Sequence, residues 1–218
     1  MRLFASAEPQ PGLRRHWAAL AAYLLSLLSK GMGVSLPLTL LLLDVFALRR
    51  LPADPRRWLS PEHRGVLFEK LPYAVLAAAA LSIGLLGQRE EASMLSIAEF
   101  GFLSRAAHAC FGLAFYPLKT LMPTSLSPLY QRPDPFDPLA PRFLLAMGIS
   151  VAVSALAVFL RERRPALLAA WIFYVLTLLP VLGLIPFGAQ LTADRYSYLA
   201  CLAWAVLLAQ RLSRPDAS

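Results

Sequence analysis

The chain has 218 residues, of which 58% are hydrophobic and 16% charged. A soluble domain carries about 25% charged residues, so this composition argues against an ordinary soluble fold. The net charge of +8 is compatible with nucleic-acid binding, but the basic residues cluster at the ends of apolar segments. That placement favours a membrane protein.

Six apolar segments predict an all-α, polytopic bundle of about six transmembrane helices in a single domain, 1–218. A charge-free apolar run of about 18 residues is long enough to cross a bilayer. Polar residues 1–11 precede the first segment, and the absence of a small-residue cleavage site predicts no cleaved signal peptide. The predicted segments are 16–29, 31–48, 71–88, 142–160, 166–187 and 197–212.

Lys30, Gly31 and Gly33 interrupt the first long apolar run. Two glycines and a charge predict a turn between two short helices. The alternative is one span at 33–48 that follows an interfacial helix.

The distribution of Lys and Arg predicts the orientation. Fourteen of these residues fall near the N-terminus, in 49–70, in 161–164 and in the tail, against seven on the opposite face. The basic face is expected to be cytoplasmic. This places both termini on the cytoplasmic side of a bacterial inner membrane. Segment 88–141 is then an extracytoplasmic loop.

Two parts of this outer loop differ in pattern. Segment 97–121 places apolar residues at helical spacing, which predicts an amphipathic helix lying on the outer surface or dipping into the membrane. Six prolines follow between 123 and 141 and exclude a helix there.

Three outer positions are candidates for chemistry, since polar side chains are costly in a membrane. Lys30 could meet a lipid phosphate, or simply reach water from its turn. Lys119 could face the same cavity, or anchor the membrane interface. The third position contains an arginine suited to phosphate, with an acidic neighbour and two tyrosines, although an aromatic belt with an ion pair is the alternative; its residues are Asp194, Arg195, Tyr196 and Tyr198.

Other polar residues are given structural roles. Asp44 is expected to pair with Arg49 or Arg50, and His108 to lie at the interface. Cys110 and Cys201 are expected to be small apolar residues rather than a disulfide. No metal or cofactor is expected, since the spacing of Asp134 and Asp137 gives little support for a divalent cation.

Four segments, taken in order, resemble the membrane part of TMTC-type protein O-mannosyltransferase relatives, which are polytopic glycosyltransferases of the GT-C class. The resemblance covers most of 20–210. The segments are Leu25 to Asp44, Glu69 to Pro72, Tyr116 to Pro123, and Ala193 to Leu199.

The resemblance implies transfer of a sugar from a polyprenyl-phosphate donor to a protein hydroxyl on the outer side. It implies that Arg195 and Lys30 contact the donor phosphate, and that Asp194 and the tyrosines shape the pocket. The family's catalytic acidic residues lie in a first outer loop that this sequence lacks, so no catalytic residue is assigned. The chain is expected to be the C-terminal membrane half of such a protein, completed by another chain or by a missing N-terminal part. A non-enzymatic membrane subunit and a small transporter are the alternatives.

Overall fold

A computed structural model describes residues 12–90, 100–184 and 190–213. Four parts of the predictions lie outside these ranges: Arg2, residues 91–99 of the expected extracytoplasmic loop, residues 185–187 of the fifth predicted segment, and Arg214. The described residues form eight α-helices and two short strands. These are α1 (Leu13–Ser29), α2 (Leu36–Phe46), α3 (Arg64–Glu90), α4 (Phe102–Leu121), β1 (Tyr130–Gln131), α5 (Pro141–Phe159), α6 (Pro165–Leu178), β2 (Gln190–Thr192), α7 (Ser197–Ala200) and α8 (Leu202–Leu212). The expectation of an all-α protein is confirmed.

The break between the first two helices falls where the sequence predicts it. Helix α1 ends at Ser29, Lys30 is extended, and a 3₁₀ helix, Gly31–Ser35, leads into α2. The Tyr23 hydroxyl donates to the Gly33 carbonyl at 3.1 Å. A Cβ on Gly33 would lie 3.4 Å from the Leu27 side chain, so glycine allows this close return against α1.

Helix α2 ends at Phe46, and the turn that follows contains one left-handed residue, Arg49, with a φ of 53°. The amides of Ala47 and Leu48 both donate to the Leu43 carbonyl, and those of Arg50 and Leu51 to the Asp44 carbonyl. The turn thus satisfies two of the last carbonyls of the helix. The turn leads the chain back toward α3, which packs on α1 and α2.

Helices α4 and α5 run side by side in the same direction. Near the start of both helices, Ala107 and Phe143 belong to one buried cluster. Further along both helices, the Ser150 hydroxyl donates to the Cys110 carbonyl at 3.2 Å. The proline-rich segment between the helices therefore returns antiparallel to α4, with Tyr130 beside Phe115 and Phe136 beside Phe100, both at 4.9 Å.

Helix α6 completes the main core. It follows α5 after a short turn, and the Trp171 indole donates to the Ser154 hydroxyl at 3.2 Å. The buried Tyr174 hydroxyl donates to the Leu113 carbonyl on α4 at 2.8 Å. Pro180 lacks the N–H that continued α-helix requires, which explains why α6 ends at Leu178 and continues as a 3₁₀ turn, Leu179–Val181.

Two described helices are long and apolar enough to cross a membrane, namely Arg64–Gly87 within α3 and Pro141–Phe159. Of the most apolar stretch in each, 6% and 22% is buried inside the protein. The apolar side chains of these two helices therefore mostly face outward, whereas the core helix of a soluble protein is mostly buried.

The other expected spans are shorter than their apolar segments. Gly31–Phe46 and Pro165–Val181 are apolar but shorter than 18 residues, and segment 197–212 is divided between α7 and α8 at Cys201. At 1.5 Å per residue, the 11-residue helix α2 is about 16 Å long, against a hydrocarbon core of about 30 Å. The described helices thus confirm helical, membrane-compatible structure but not the full set of six spans.

The two strands were not predicted. Tyr130 in β1 pairs with Thr192 in β2, in antiparallel register. The Leu191 carbonyl accepts a hydrogen bond from Nε2 of the buried His108 at 2.7 Å. His108 is therefore a core residue rather than the interfacial residue expected, and it joins α4 to the segment before the candidate site.

Candidate functional site

Two candidate cations, Lys30 and Arg195, lie against the ring of a third candidate, Tyr196, although Lys30 is distant from the other two in sequence. The Lys30 ammonium lies 5.3 Å from the centre of the Tyr196 ring, and the Arg195 guanidinium carbon lies 5.1 Å from it. Lys30 is placed by the turn after α1, and Arg195 and Tyr196 by a 3₁₀ turn, Asp194–Tyr196. The ring face attracts both cations.

The ring is buried but its cations are exposed. Tyr196 is 8% exposed, whereas Lys30 and Arg195 lie at the surface. The Tyr196 hydroxyl receives hydrogen bonds from Arg195 at 3.2 Å and from the Gln190 amide at 3.4 Å. The ring thus holds the two cations in place while leaving them open to a ligand.

The electrostatics of this group favour negative charge. Burial raises the pKa of the Tyr196 hydroxyl, but hydrogen bonds from Gln190 and Arg195 and the charges of Arg195 and Lys30 outweigh burial, so the pKa lies below its ordinary value. An environment that stabilises a phenolate also stabilises other anions. A guanidinium fork beside an ammonium is well suited to a phosphate.

Asp194 points away from this cation pair. Its Oδ2 accepts hydrogen bonds from the Ser127 amide at 2.6 Å and from the Tyr130 hydroxyl at 3.0 Å. Asp194 therefore fastens the proline-rich segment to the 3₁₀ turn.

Lys119 belongs to this second group. Its ammonium donates to the carbonyls of Thr124 and Ser125 and lies 5.4 Å from the Tyr130 ring centre. These carbonyls follow the C-terminus of α4, where a cation is favourable. The Lys119 ammonium therefore makes its hydrogen bonds within the protein and is not part of the pair formed by Lys30 and Arg195.

Tyr198 is separate from both groups. It is 84% exposed at the start of α7, followed by the exposed apolar side chains of Leu199 and Leu202. The structure thus brings together Lys30, Arg195 and Tyr196, places Asp194 with Lys119 around Tyr130, and leaves Tyr198 at the surface. Gln190 was missed because its contact with Tyr196, six residues along the chain, depends on the turn between them and belongs to no motif.

A further charged group lies at the opposite end of α2. Asp44 is 1% exposed, and its carboxylate lies 2.9 Å from the Lys70 ammonium and 3.3 Å from the Arg50 guanidinium. Arg50 also pairs with Glu69 at 2.7 Å. The structural role expected for Asp44 and its pairing with Arg50 are confirmed, whereas Lys70 was not foreseen as a partner.

Metal binding finds no support among the described residues. Within 12–90, 100–184 and 190–213, no three His, Cys, Asp or Glu side chains gather in a way that would hold an ion. Oδ1 of Asp137 accepts a hydrogen bond from the Leu139 amide at 2.9 Å. Asp137 therefore stabilises a turn before α5.

The arrangement can therefore bind an anion, and Asp194, the acidic residue next to the cations, is engaged in fixing the loop. Comparison of the chain with family models, with curated proteins and with solved structures finds no match.

Proposed function

We propose that the chain is a multi-pass integral membrane protein with about six spans and both termini cytoplasmic. Outward-facing apolar side chains on α3 and α5 support this placement, as does the asymmetry of Lys and Arg along the sequence. The shorter helices would then cross or enter the bilayer as part of a bundle, in which neighbouring helices satisfy the polar groups at their ends. In this orientation Lys30 and Arg195 lie on the outer side.

The proposed function is recognition of the phosphate of a polyprenyl-phosphate sugar donor by Lys30, Arg195 and Tyr196. The observation that carries the proposal is that two exposed cations lie within 5.3 Å of the centre of one buried ring. The exposed apolar side chains of Leu199 and Leu202 begin next to this group and offer a path for the isoprenoid tail along α8.

The reaction implied is transfer of the sugar to a hydroxyl of an acceptor protein. The acceptor oxygen bonds to the anomeric carbon as that carbon's bond to the phosphate oxygen breaks, and the lipid phosphate leaves with the added negative charge. Lys30 and Arg195 would stabilise that charge. We assign no described residue as the base that takes the hydroxyl proton, and propose that a partner chain supplies it.

A non-enzymatic membrane subunit is the second candidate. It is favoured by the geometry of Asp194, whose carboxylate is hydrogen-bonded to Ser127 and Tyr130 rather than open to an acceptor. Such a subunit would bind the lipid phosphate, or a neighbouring protein, without catalysing transfer.

The test is binding of polyprenyl phosphate to the protein in lipid nanodiscs. A charge-assisted hydrogen bond contributes about 1.5–3 kcal/mol, so Arg195→Ala is expected to weaken binding about tenfold or more. Lys30→Ala is expected to act in the same direction. Arg163→Ala is the matched control, because it removes one exposed positive charge from the turn between α5 and α6.

Equal affinities of Arg195→Ala and the control would refute the proposed phosphate site. Separately, incubation of native membranes that contain the protein with polyprenyl-phosphate mannose and a hydroxyl acceptor distinguishes the two candidates. Sugar transfer favours the enzyme, and phosphate binding without transfer favours the subunit.

A further inference from the structure

An open apolar groove, hereafter the α1–α3 groove, runs between α1 and α3 on the outside of the protein. Its volume is about 600 Å³, which is within the range of pockets that hold small molecules. Every side chain that lines it is apolar. The α1 wall consists of Trp17, Leu20, Ala21 and Leu24, and the α3 wall lies between Leu71 and Leu76.

The two helices that form the groove begin at the same end of the protein. Asp44, near the end of α2, lies 2.9 Å from Lys70, near the start of α3, whereas Leu36 at the start of α2 packs against a cluster that includes Ala77. Helix α2 therefore runs antiparallel to α3. The chain turns back tightly between α1 and α2, where the Tyr23 hydroxyl contacts residue 33, so α1 runs parallel to α3.

Two arginines lie at that shared end, on the helix faces that form the groove. Arg14 precedes Trp17 by three residues and Arg64 precedes Leu71 by seven, and these spacings keep side chains on one face of a helix. Both arginines are exposed, and within the described ranges neither forms an ion pair. Neither helix has an acidic residue in its first turn. The apolar groove thus opens beside two uncompensated positive charges.

The spacing of residues along α1 matches the size of a lipid in one leaflet. Leu24 follows Arg14 by ten residues, or about 15 Å at 1.5 Å per residue, which is half of a hydrocarbon core of about 30 Å. Trp17 lies between them and is 62% exposed, and tryptophan is common at the interface between membrane and water. A lipid whose phosphate contacts Arg14 would therefore reach the middle of the bilayer along the groove.

We propose that the α1–α3 groove binds an anionic phospholipid of the cytoplasmic leaflet. Arg14 and Arg64 contact its phosphate, and an acyl chain lies against the apolar walls. The planar guanidinium suits a phosphate, and basic pockets between membrane helices on the cytoplasmic side bind anionic headgroups. The occupant is a lipid rather than free phosphate, because the lining beyond the arginines is wholly apolar.

This lipid site lies at the opposite end of α1 from Lys30. The inference goes beyond the donor-phosphate site and does not depend on it. It does rest on the membrane placement of α3 that is proposed above.

The test is photocrosslinking from benzoylphenylalanine that replaces Leu24, in vesicles of phosphatidylcholine with a minority of phosphatidylglycerol. Leu25 is the matched control, since it is also an exposed leucine of α1 but does not line the groove. Mass spectrometry of the captured lipids gives the ratio of phosphatidylglycerol to phosphatidylcholine at each position.

At position 24, phosphatidylglycerol is expected to be enriched about fivefold or more over its share of the vesicle, which is the factor that one basic residue contributes at a membrane surface. At position 25 the captured ratio should match that of the vesicle. Arg14→Gln and Arg64→Gln are each expected to lower the enrichment at position 24. Arg15→Gln, which removes an exposed charge from another face of α1, should leave it unchanged.

Equal lipid ratios at positions 24 and 25 would overturn the lipid site and leave the donor-phosphate site untouched. Capture of a protein instead of a lipid at position 24 would also overturn it, because a partner chain would then fill the groove. Failure to capture lipid at either position would overturn it together with the membrane placement.

Discussion

The ammonium of Lys30 lies against the ring of Tyr196, 5.3 Å from its centre, and so joins the turn after α1 to the turn before α7. The Arg195 guanidinium lies against the same ring and donates a hydrogen bond to the Tyr196 hydroxyl. The aromatic ring is thus the common support of two cations that would otherwise repel each other. A phosphate placed between them would relieve that repulsion, which is the physical basis of the proposed site.

The pKa of Tyr196 gives the site a dependence on pH. This pKa is lowered from its ordinary value by Gln190, Arg195 and Lys30, against the opposing effect of burial. As pH rises toward 10, the phenolate forms in the folded protein before an ordinary tyrosine would ionise, and its negative charge cancels one of the two cations. Affinity for polyprenyl phosphate is therefore expected to fall several-fold over this range.

The control for this pH dependence is Tyr196→Phe, which keeps the ring and removes the ionisable hydroxyl. Lys30 and Arg195 are present in both proteins, so the comparison isolates the Tyr196 hydroxyl. Identical pH profiles of the two proteins would show that Tyr196 does not control binding.

Asp194 should govern the order of the proline-rich segment. Asp194→Ala removes the acceptor of the Ser127 amide and of the Tyr130 hydroxyl. Hydrogen exchange at Ser127 is expected to accelerate about tenfold or more, in keeping with about 1–3 kcal/mol for a lost acceptor. Asp137→Ala removes a different turn bond, to Leu139, and should leave exchange at Ser127 unchanged.

Asp44 should be required for stability. It is 1% exposed and compensates Lys70, which is 13% exposed. Breaking a buried ion pair from one side costs about 3–5 kcal/mol, so Asp44→Asn is expected to lower the free energy of unfolding in detergent micelles by about that amount. Glu69→Gln removes a 46% exposed partner, and the expected loss is about 1 kcal/mol or less.

The double variant Asp44→Asn with Lys70→Met separates charge from packing. It should recover part of the lost stability, because no uncompensated ammonium remains. A double variant as unstable as Asp44→Asn alone would mean that the ion pair is not what stabilises this end of α2.

Gly183 should be intolerant of a side chain. Its φ is +72°, and a Cβ there would lie 2.8 Å from Cγ of His108 and closer still to Cε1 and Nδ1. Gly183→Ala is expected to destabilise the protein by about 1–3 kcal/mol, since strain at such a position adds to the overlap. Gly84→Ala is the control, because a Cβ at Gly84 within α3 meets nothing within 4 Å, and it should stabilise slightly.

Local features could be predicted from the sequence, because their causes are local. Glycines at 31 and 33 ended the first apolar run, and the prolines between 123 and 141 excluded a helix. Helix lengths were less accessible: Pro180 ended α6 earlier than its apolar segment suggested. Contacts between distant residues had no sequence signal, so His108 against Leu191, Lys70 with Asp44, and the pairing of β1 with β2 were missed.

The candidate site was predictable as a set of cations expected on one face, but not as a geometry. Lys30, Arg195 and Tyr196 do meet, whereas Lys119 is bound to the loop and Tyr198 is exposed. Residue type alone could not separate a lysine that is free to bind a ligand from one that caps its own helix.

The most direct test of the account compares wild-type affinity for polyprenyl phosphate with that for the uncharged polyprenol, in the same nanodiscs at neutral pH. The two lipids share the same tail, so their difference isolates the phosphate and its contacts with Lys30 and Arg195. We expect the phosphate to bind about tenfold more tightly or better, and salt to weaken this binding because the cations are exposed. Equal affinity for the two lipids would contradict it.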